Sequence, residues 1–503
     1  MNISDKSFLE KSGKSELYTQ SSLINGESSA ETIEIDPPEN VKKKTNRFKE
    51  VLSQILAVSS INLILLDLGM VLALPTIVIP ELLKSSDGLK FTEEQASWFG
   101  SLAFIFQPLG SAFSGLTFEP VGRRMTMLYV NGPLFLGWLL MRFGTQVSHL
   151  YIAEIIMGTS IGLMDAPHIT YLGEITQPKW RGILISYAEL CVAFGFCIVY
   201  FLGSVTDWKT VSSVCCTIPI ISVLFISQLP ESPIWLLSKG KRDAALKSLA
   251  WLRGWVKHQS VQNEFADLRR HYDENKLTQN DDVKINNRDS LLKKIAKSVG
   301  FNDILRKSVL QPIFLVAVYF GFSHLAGVTN TRPFMVDILN EFGTPLDPVW
   351  VTAISSIVGM IGFLVGMVFV PKAGKRFVSI ASMLGCALTT GCISLYGFFF
   401  RHTKTQFTPI LLFVLLNFIW SCGVGQIPWM LISEVFPFRG RGVASGVVAA
   451  ISYIEAFIFI KTFYSLHHAF SVSGKRKERL YIKLNQQLKI TLNDLNYQKH
   501  AAS

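Results

Sequence analysis

An all-α integral membrane protein, made of two similar helical bundles, is the fold class that this sequence predicts. Three observations carry that reading. The chain is 49% hydrophobic and only 17% charged, too few charges to clothe a soluble surface of 503 residues. Apolar stretches of about 20 residues recur along it, each long enough to cross a hydrocarbon core as a helix. Helices suit such stretches because backbone groups in lipid must pair within their own segment. The third observation is an internal duplication. Glu174 ends one long apolar stretch and is followed seven residues later by Arg181-Gly182; Glu434 ends another and is followed at the same distance by Arg441-Gly442. Each copy lies downstream of a basic turn, Gly122-Arg123-Arg124 in the first half and Gly374-Lys375-Arg376 in the second. Duplicated halves are the build of secondary transporters, so the repeat points to movement of a solute across a bilayer.

The elements follow in chain order. Residues 1–50 are polar and rich in Ser, Glu and Lys, without a cleavable signal, and read as a disordered cytoplasmic tail. Residues 51–231 form an amino-terminal six-helix bundle, with spans near 52–79, 97–117, 125–143, 150–172, 183–203 and 210–229. Residues 232–306 carry both charge signs and helical patterning, as in Arg242 to Arg253, and read as a cytoplasmic connector of short amphipathic helices. Residues 307–466 give five spans, near 309–335, 350–370, 377–399, 408–432 and 444–465. From His467 to Ser503 the chain is polar, with Leu480, Ile482, Leu484, Leu488 and Ile490 set among Lys and Gln, and no stretch suited to a crossing. A six-plus-six layout would therefore lack its twelfth span, and the expectation is an impaired carrier.

The formal charge of +11 sits mostly in the tail and the turns: Lys42 to Lys44, Arg123, Arg124, Lys179, Arg181, the connector, Lys372, Lys375, Arg376, Arg439 and Arg441. If the spans alternate, these fall on one side, which the positive-inside rule makes cytoplasmic together with the amino terminus. Charge confined to short turns argues against a nucleic-acid partner. The seven cysteines lie in apolar spans and behave as small hydrophobes, with no disulfide or zinc spacing. No Gly-rich loop ending in Gly-Lys-Ser/Thr is present to hold ATP, and the histidines have no metal spacing. No enzyme, cofactor or metal is expected.

Several motifs now stand in order. Gly158, Gly162, Pro167, Tyr171, Glu174 and Arg181-Gly182 mark the fourth span. Pro230-Glu231-Ser232-Pro233-Ile234-Trp235-Leu236 follows the sixth, with Trp251-Leu252-Arg253-Gly254 beyond it. Gly423, Gly425, Gln426, Pro428 and Trp429 lead to Glu434 and Pro437. With these in place the chain resembles the sugar-porter branch of the major facilitator superfamily, and within it the insect facilitated trehalose transporter-like group, over about residues 50–465. The resemblance implies two rocking bundles around a midplane site, a facilitative sugar (trehalose or hexose) substrate, and a place in the cell membrane. Departures are also visible. Glu119 and Pro120 stand where the family's first basic turn has Asp-Arg, and Pro371 takes the acidic position of the second. Glu154 and Ile234 replace arginines. The seventh span reads Ser323-His324-Leu325-Ala326-Gly327-Val328-Thr329 where the family has Gln-Gln-x-Ser-Gly-x-Asn, and Ser452-Tyr453 replaces Asn-Trp. Another organic solute, a charged one included, therefore remains open as the substrate, as does a non-transporting relative.

Candidate residues fall into three groups. Arg123, Arg124, Arg181, Arg376 and Arg441 face Glu174, Glu231 and Glu434 at helix ends, where pairs can hold the cytoplasmic ends of the two halves together; mere orientation-setting charges are the plainer alternative. Glu189, Ser323, His324, Thr329, Asn330, Trp429, Ser452 and Glu455 are candidates for the substrate site. A carboxylate or hydroxyl there can hydrogen-bond a sugar, and Trp429, after a helix break at Gly423 to Pro428, can stack on one. Asp67 resembles the first-span acid of proton-coupled members, with a helix-packing hydrogen bond as the equal alternative. Of the other ionisable residues within spans, Arg332 and Lys461 are expected to snorkel to an interface, and Asp165 to face the bundle interior.

Overall fold

The computed structural model describes residues 47–85, 88–283, 307–399, 407–436 and 444–467, all helices and turns. The first half consists of α1 (Arg47–Lys84), α2 (Glu93–Val121), α3 (Arg123–Phe143), α4 (Val147–Ile175), α5 (Pro178–Val205) and a pair of short helices, α6 (Trp208–Cys215) and α7 (Thr217–Ser227). The connector holds α8 (Pro233–Ser238), α9 (Arg242–Leu252) and α10 (Gln262–Val283). The second half begins with α11 (Lys307–Leu325), then short α12 (Val328–Thr331) and α13 (Met335–Glu341), followed by α14 (Pro348–Ala373) and α15 (Lys375–Phe399). It continues with α16 (Thr408–Cys422), α17 (Ile427–Val435) and α18 (Ala444–His467). The polar tail expected beyond His467 lies outside the described residues, as do the tail before Arg47 and the connector from residue 284 to 306.

Eight of the described helices are long and apolar enough to cross a membrane, or nine if the bent pair around Gly327 counts as one. The expectation of eleven uniform spans is therefore too simple. Helices α2 and α3 occupy two further predicted spans but are less apolar, because Gln107, Ser114 and Asn131 turn buried polar side chains into the bundle. The predicted seventh span is broken, with Val309–Leu325 and Val328–Glu341 meeting at 51°. Gly327 makes that break possible with φ +93, a conformation that a side chain strains. Asp207 caps α6 by accepting from the Thr210 backbone N at 3.2 Å. The Thr210 hydroxyl also donates to it at 2.7 Å and holds its carboxyl below the ordinary value.

Small residues set the packing within the first half. A Cβ added at Gly110 of α2 would lie 2.0 Å from the Thr159 carbonyl, and one at Gly162 of α4 would lie 2.0 Å from that of Gln107. Gly69 and Gly195 bring α1 and α5 together in the same way. Close backbone approach at small residues is how helices associate in lipid, where apolar side chains gain nothing by leaving hydrocarbon. The outer faces are apolar and uncovered. Phe314, Leu388 and Phe398 are each 71% exposed, as suits contact with acyl chains.

The halves meet along α5 and α14 and at the end away from the connector. There the Thr76 hydroxyl donates to the Arg332 carbonyl at 2.9 Å, and the Ser97 hydroxyl to that of Lys461 at 3.0 Å. Lys461 Nζ rests 4.1 Å from the Trp98 ring centroid. That end is closed.

Candidate functional site

A cavity of about 950 Å³ lies between the halves, at the upper end of the roughly 300–1,000 Å³ common for ligand pockets. Its central wall includes Asp165 and Glu189 from the first half and Ser323, His324, Trp429 and Tyr453 from the second. From there it extends to Glu119, Arg123 and Glu174, and to Trp235 and Tyr272 of the connector, and it does not reach Trp98 or Lys461 at the closed end.

The break between α16 and α17 shapes one wall. The chain unwinds at Gly423 to Gln426, and the Gln426 side chain donates back to the Ser421 and Cys422 carbonyls at 3.2 and 3.0 Å. This satisfies acceptors that the interrupted helix frees. Trp429 follows on α17, edge-on to Phe320 at 5.1 Å and 6.0 Å from Tyr453. The broken seventh span supplies the neighbouring wall. Ser323 donates to the Val424 carbonyl at 3.3 Å, and His324 Nε2 lies 3.3 Å from the Ser452 hydroxyl. Thr329 lines the cavity.

Two sequence candidates stand elsewhere. The Asn330 amide donates to the His324 carbonyl at 2.7 Å, so it secures the helix break and is not part of the cavity wall. Glu455 faces Gly321 on α11, with one carboxylate oxygen buried without a partner, and is also absent from the wall. Arg332 departs from expectation in the other direction. It lines the cavity, its guanidinium 4.0 Å from the Phe196 ring and 5.6 Å from that of Trp420, so that two aromatic faces hold the cation there. Asp165, expected only to face the bundle interior, is the acid that binds across the halves: it accepts from Tyr453 at 3.2 Å. The available signal was a carboxylate placed inside an otherwise apolar span.

Asp67 lies apart from the cavity, buried between α1 and α3, where Trp138 Nε1 donates to it at 2.8 Å.

At the connector end the described ion pairs stay within their own half. Arg123 Nη2 is 3.3 Å from Glu174 and 3.2 Å from Glu119. In the second half Lys375, and not Arg376, pairs with Glu434. Position by position, Lys375 is the repeat of Arg123, so the register of the two basic turns was the signal that identifies it. Gly122 and Gly374 open the two turns with φ +109 and +85. At Gly122 a Cβ would also lie 2.6 Å from Glu231 Oε2. Glu231 accepts from the backbone N of Arg124 at 3.1 Å and of Ser232 at 2.9 Å, and the Ser232 hydroxyl donates to Glu174. Arg124 donates to the Ile226 and Ser227 carbonyls, and Arg376 is exposed. Arg181 lies in the first turn of α5 and its side chain, like all of Arg441, is outside the described residues.

A two-half bundle around a central cavity is the plan of a membrane carrier, and the comparisons agree. The family model described as "Sugar (and other) transporter" matches residues 55–474. The chain belongs to that family, and it is a multi-pass membrane transporter, not an enzyme. It is 25% identical over 421 residues to the facilitated trehalose transporter Tret1 of Culex quinquefasciatus, covering 82% of this chain and 77% of that one. Trehalose transporter 1 of Drosophila melanogaster is 26% identical over 448 residues, 87% of this chain and 50% of its own. The chain thus spans about half the length of some relatives it matches. Among solved structures, the proton:xylose symporter XylE of the major facilitator superfamily, bound to 6-bromo-6-deoxy-D-glucose, superposes with a TM-score of 0.66 at 18% identity, over 84% of this chain and 90% of that one. The partially occluded inward-open form of the xylose transporter XylE from E. coli gives 0.65 at 16%, over 82% and 92%. The fold is the same.

Proposed function

We propose that this protein carries a sugar, trehalose or a hexose, down its gradient by alternating access. One observation carries the reading: a single cavity, walled by both halves, extends to the connector and stops short of the opposite end. Rocking the halves about that cavity exposes it to each side in turn. The names of the similar insect proteins support the sugar, and the wall of Ser, Thr, carboxylate and aromatic groups can bind hydroxyls and an apolar ring face.

In this reading the connector end is cytoplasmic, because Lys239, Lys241, Arg242 and Lys247 add to the basic turns there. The state described is then inward-facing, in the cell membrane, with the amino terminus inside. The pairs Arg123–Glu174 and Lys375–Glu434 hold each half's end in shape and exchange partners with the opposite half when that end closes, with Arg124, Arg181, Glu231, Arg376 and Arg441 as further members. Glu189, Ser323, His324, Thr329, Trp429 and Ser452 serve the substrate, while Asn330 acts only through the helix break that it secures and Glu455 stays outside the site.

Uptake of radiolabelled trehalose and glucose into cells expressing the chain tests this, with an inert solute as the control. Saturable uptake of either sugar, driven only by its gradient, is the expected result. No uptake of either at wild-type surface expression would overturn the proposal.

A further inference from the structure

The two oxygens of Asp165 have different surroundings. Oδ1 accepts from the Tyr453 hydroxyl of the opposite half at 3.2 Å, while Oδ2 is buried without a partner. Asp165 lies nine residues before Glu174 on α4, so about 13 Å in from the connector end at 1.5 Å per residue. There it lines the central cavity, whose wall it shares with Glu189. Of the second-half polar groups on that wall, Ser323 donates to the Val424 carbonyl, and His324 meets the Ser452 hydroxyl through one ring nitrogen while the other has no partner. In the first half, Asp165 Oδ2 is a buried acceptor with no donor beside it.

We propose that Asp165 is where solute binding and the contact between the halves meet, one carboxylate oxygen holding Tyr453 and the other accepting a hydroxyl of a polyol solute. A carboxylate has acceptor sites enough for both, and rotation about χ2 can turn either oxygen toward the cavity. A buried acceptor without a donor is penalised until one arrives, so a hydroxyl-bearing solute gains more here than an apolar one. Because the other oxygen is tied to α18, the same residue reports occupancy to the opposite half. Asp165 then adds an amino-terminal contact to a wall whose second-half side carries Ser323, His324 and Thr329 in place of the seventh-span amides of the resemblance. The identity of the solute rests on the sugar reading above; the bond between the halves does not.

The test uses the full chain in lipid nanodiscs and reads two quantities. One is equilibrium binding of radiolabelled trehalose and glucose. The other is labelling of Ser97→Cys, at the closed end, by a water-soluble thiol reagent over the background of the seven native cysteines. Tyr453→Phe removes the bond across the halves and should raise labelling at least about threefold, with sugar affinity kept within about threefold. Asp165→Asn keeps an oxygen for Tyr453 but replaces the free acceptor by a donor. It should lower affinity about tenfold and leave labelling near wild type. A residue needed only for folding would move both readouts together in both variants. Unchanged labelling in Tyr453→Phe overturns the bond, and unchanged affinity in Asp165→Asn overturns the solute contact. Wild-type protein that binds neither sugar overturns the sugar reading and the solute contact together, while the labelling arm still decides the bond.

Discussion

Two buried carboxylates show what single residues can and cannot reveal. Asp67 and Asp165 look alike in the sequence, each an acid inside an apolar span. Only the fold separates them, placing Asp67 against Trp138 within one half and Asp165 at the cavity. We expect sugar uptake to vary little with external pH, and Asp67→Asn to leave that profile unchanged. A pH-dependent wild type flattened by Asp67→Asn would make Asp67 a proton carrier. Trp138→Phe should instead lower thermal stability by about 1–3 kcal/mol, because it leaves a buried acceptor without its donor.

The paired helix ends allow a comparison of magnitudes. Arg123 and Glu174 have side chains only 8% and 12% exposed, against 28% and 47% for Lys375 and Glu434. Removing one partner of a buried pair costs about 3 kcal/mol or more, whereas an exposed pair contributes about 0–1 kcal/mol. Arg123→Ala should therefore impair exchange far more than Lys375→Ala, with surface expression as the control. Equal effects would mean that burial does not set the strength of the two pairs.

At the scale of helices, the spans were legible in the sequence because their apolar runs are long. Their interruptions were less so. A run of apolar residues reads the same whether the helix is straight or broken, and Gly327 alone gave no sign that its φ would be positive. The break at Gly423 to Gln426 was clearer, since two glycines and a proline fall within six residues, Gly423 to Pro428. Contact faces were the least legible: Gly110 and Gly162 matter because a carbonyl of the partner helix sits against each, which no single-chain pattern states. Gly162→Leu should destabilise the first half by at least about 2 kcal/mol, since the side chain would meet the Gln107 carbonyl and not a flexible neighbour. Thermal unfolding in detergent measures it; an unchanged midpoint would mean that α2 and α4 can separate without loss.

For the whole molecule, the duplicated Glu-to-Arg-Gly segments and basic turns revealed the two-half plan before any coordinates, since a repeat of that spacing has few other causes. The cavity's composition was only partly visible. Ser323, His324, Thr329, Glu189, Trp429 and Ser452 belong to spans that could be placed, but which side of each helix faces inward depends on packing between halves. That dependence is why Glu455 and Asn330 fell outside the wall and Arg332 within it. The central claim is that one cavity serves both sides of the membrane. Counterflow tests it most directly: proteoliposomes loaded with unlabelled trehalose or glucose, diluted into a trace of the labelled sugar. The account predicts transient accumulation of label above equilibrium, produced by one site exposed alternately to each face. Label that equilibrates without an overshoot, at the same rate in loaded and empty vesicles, would contradict it.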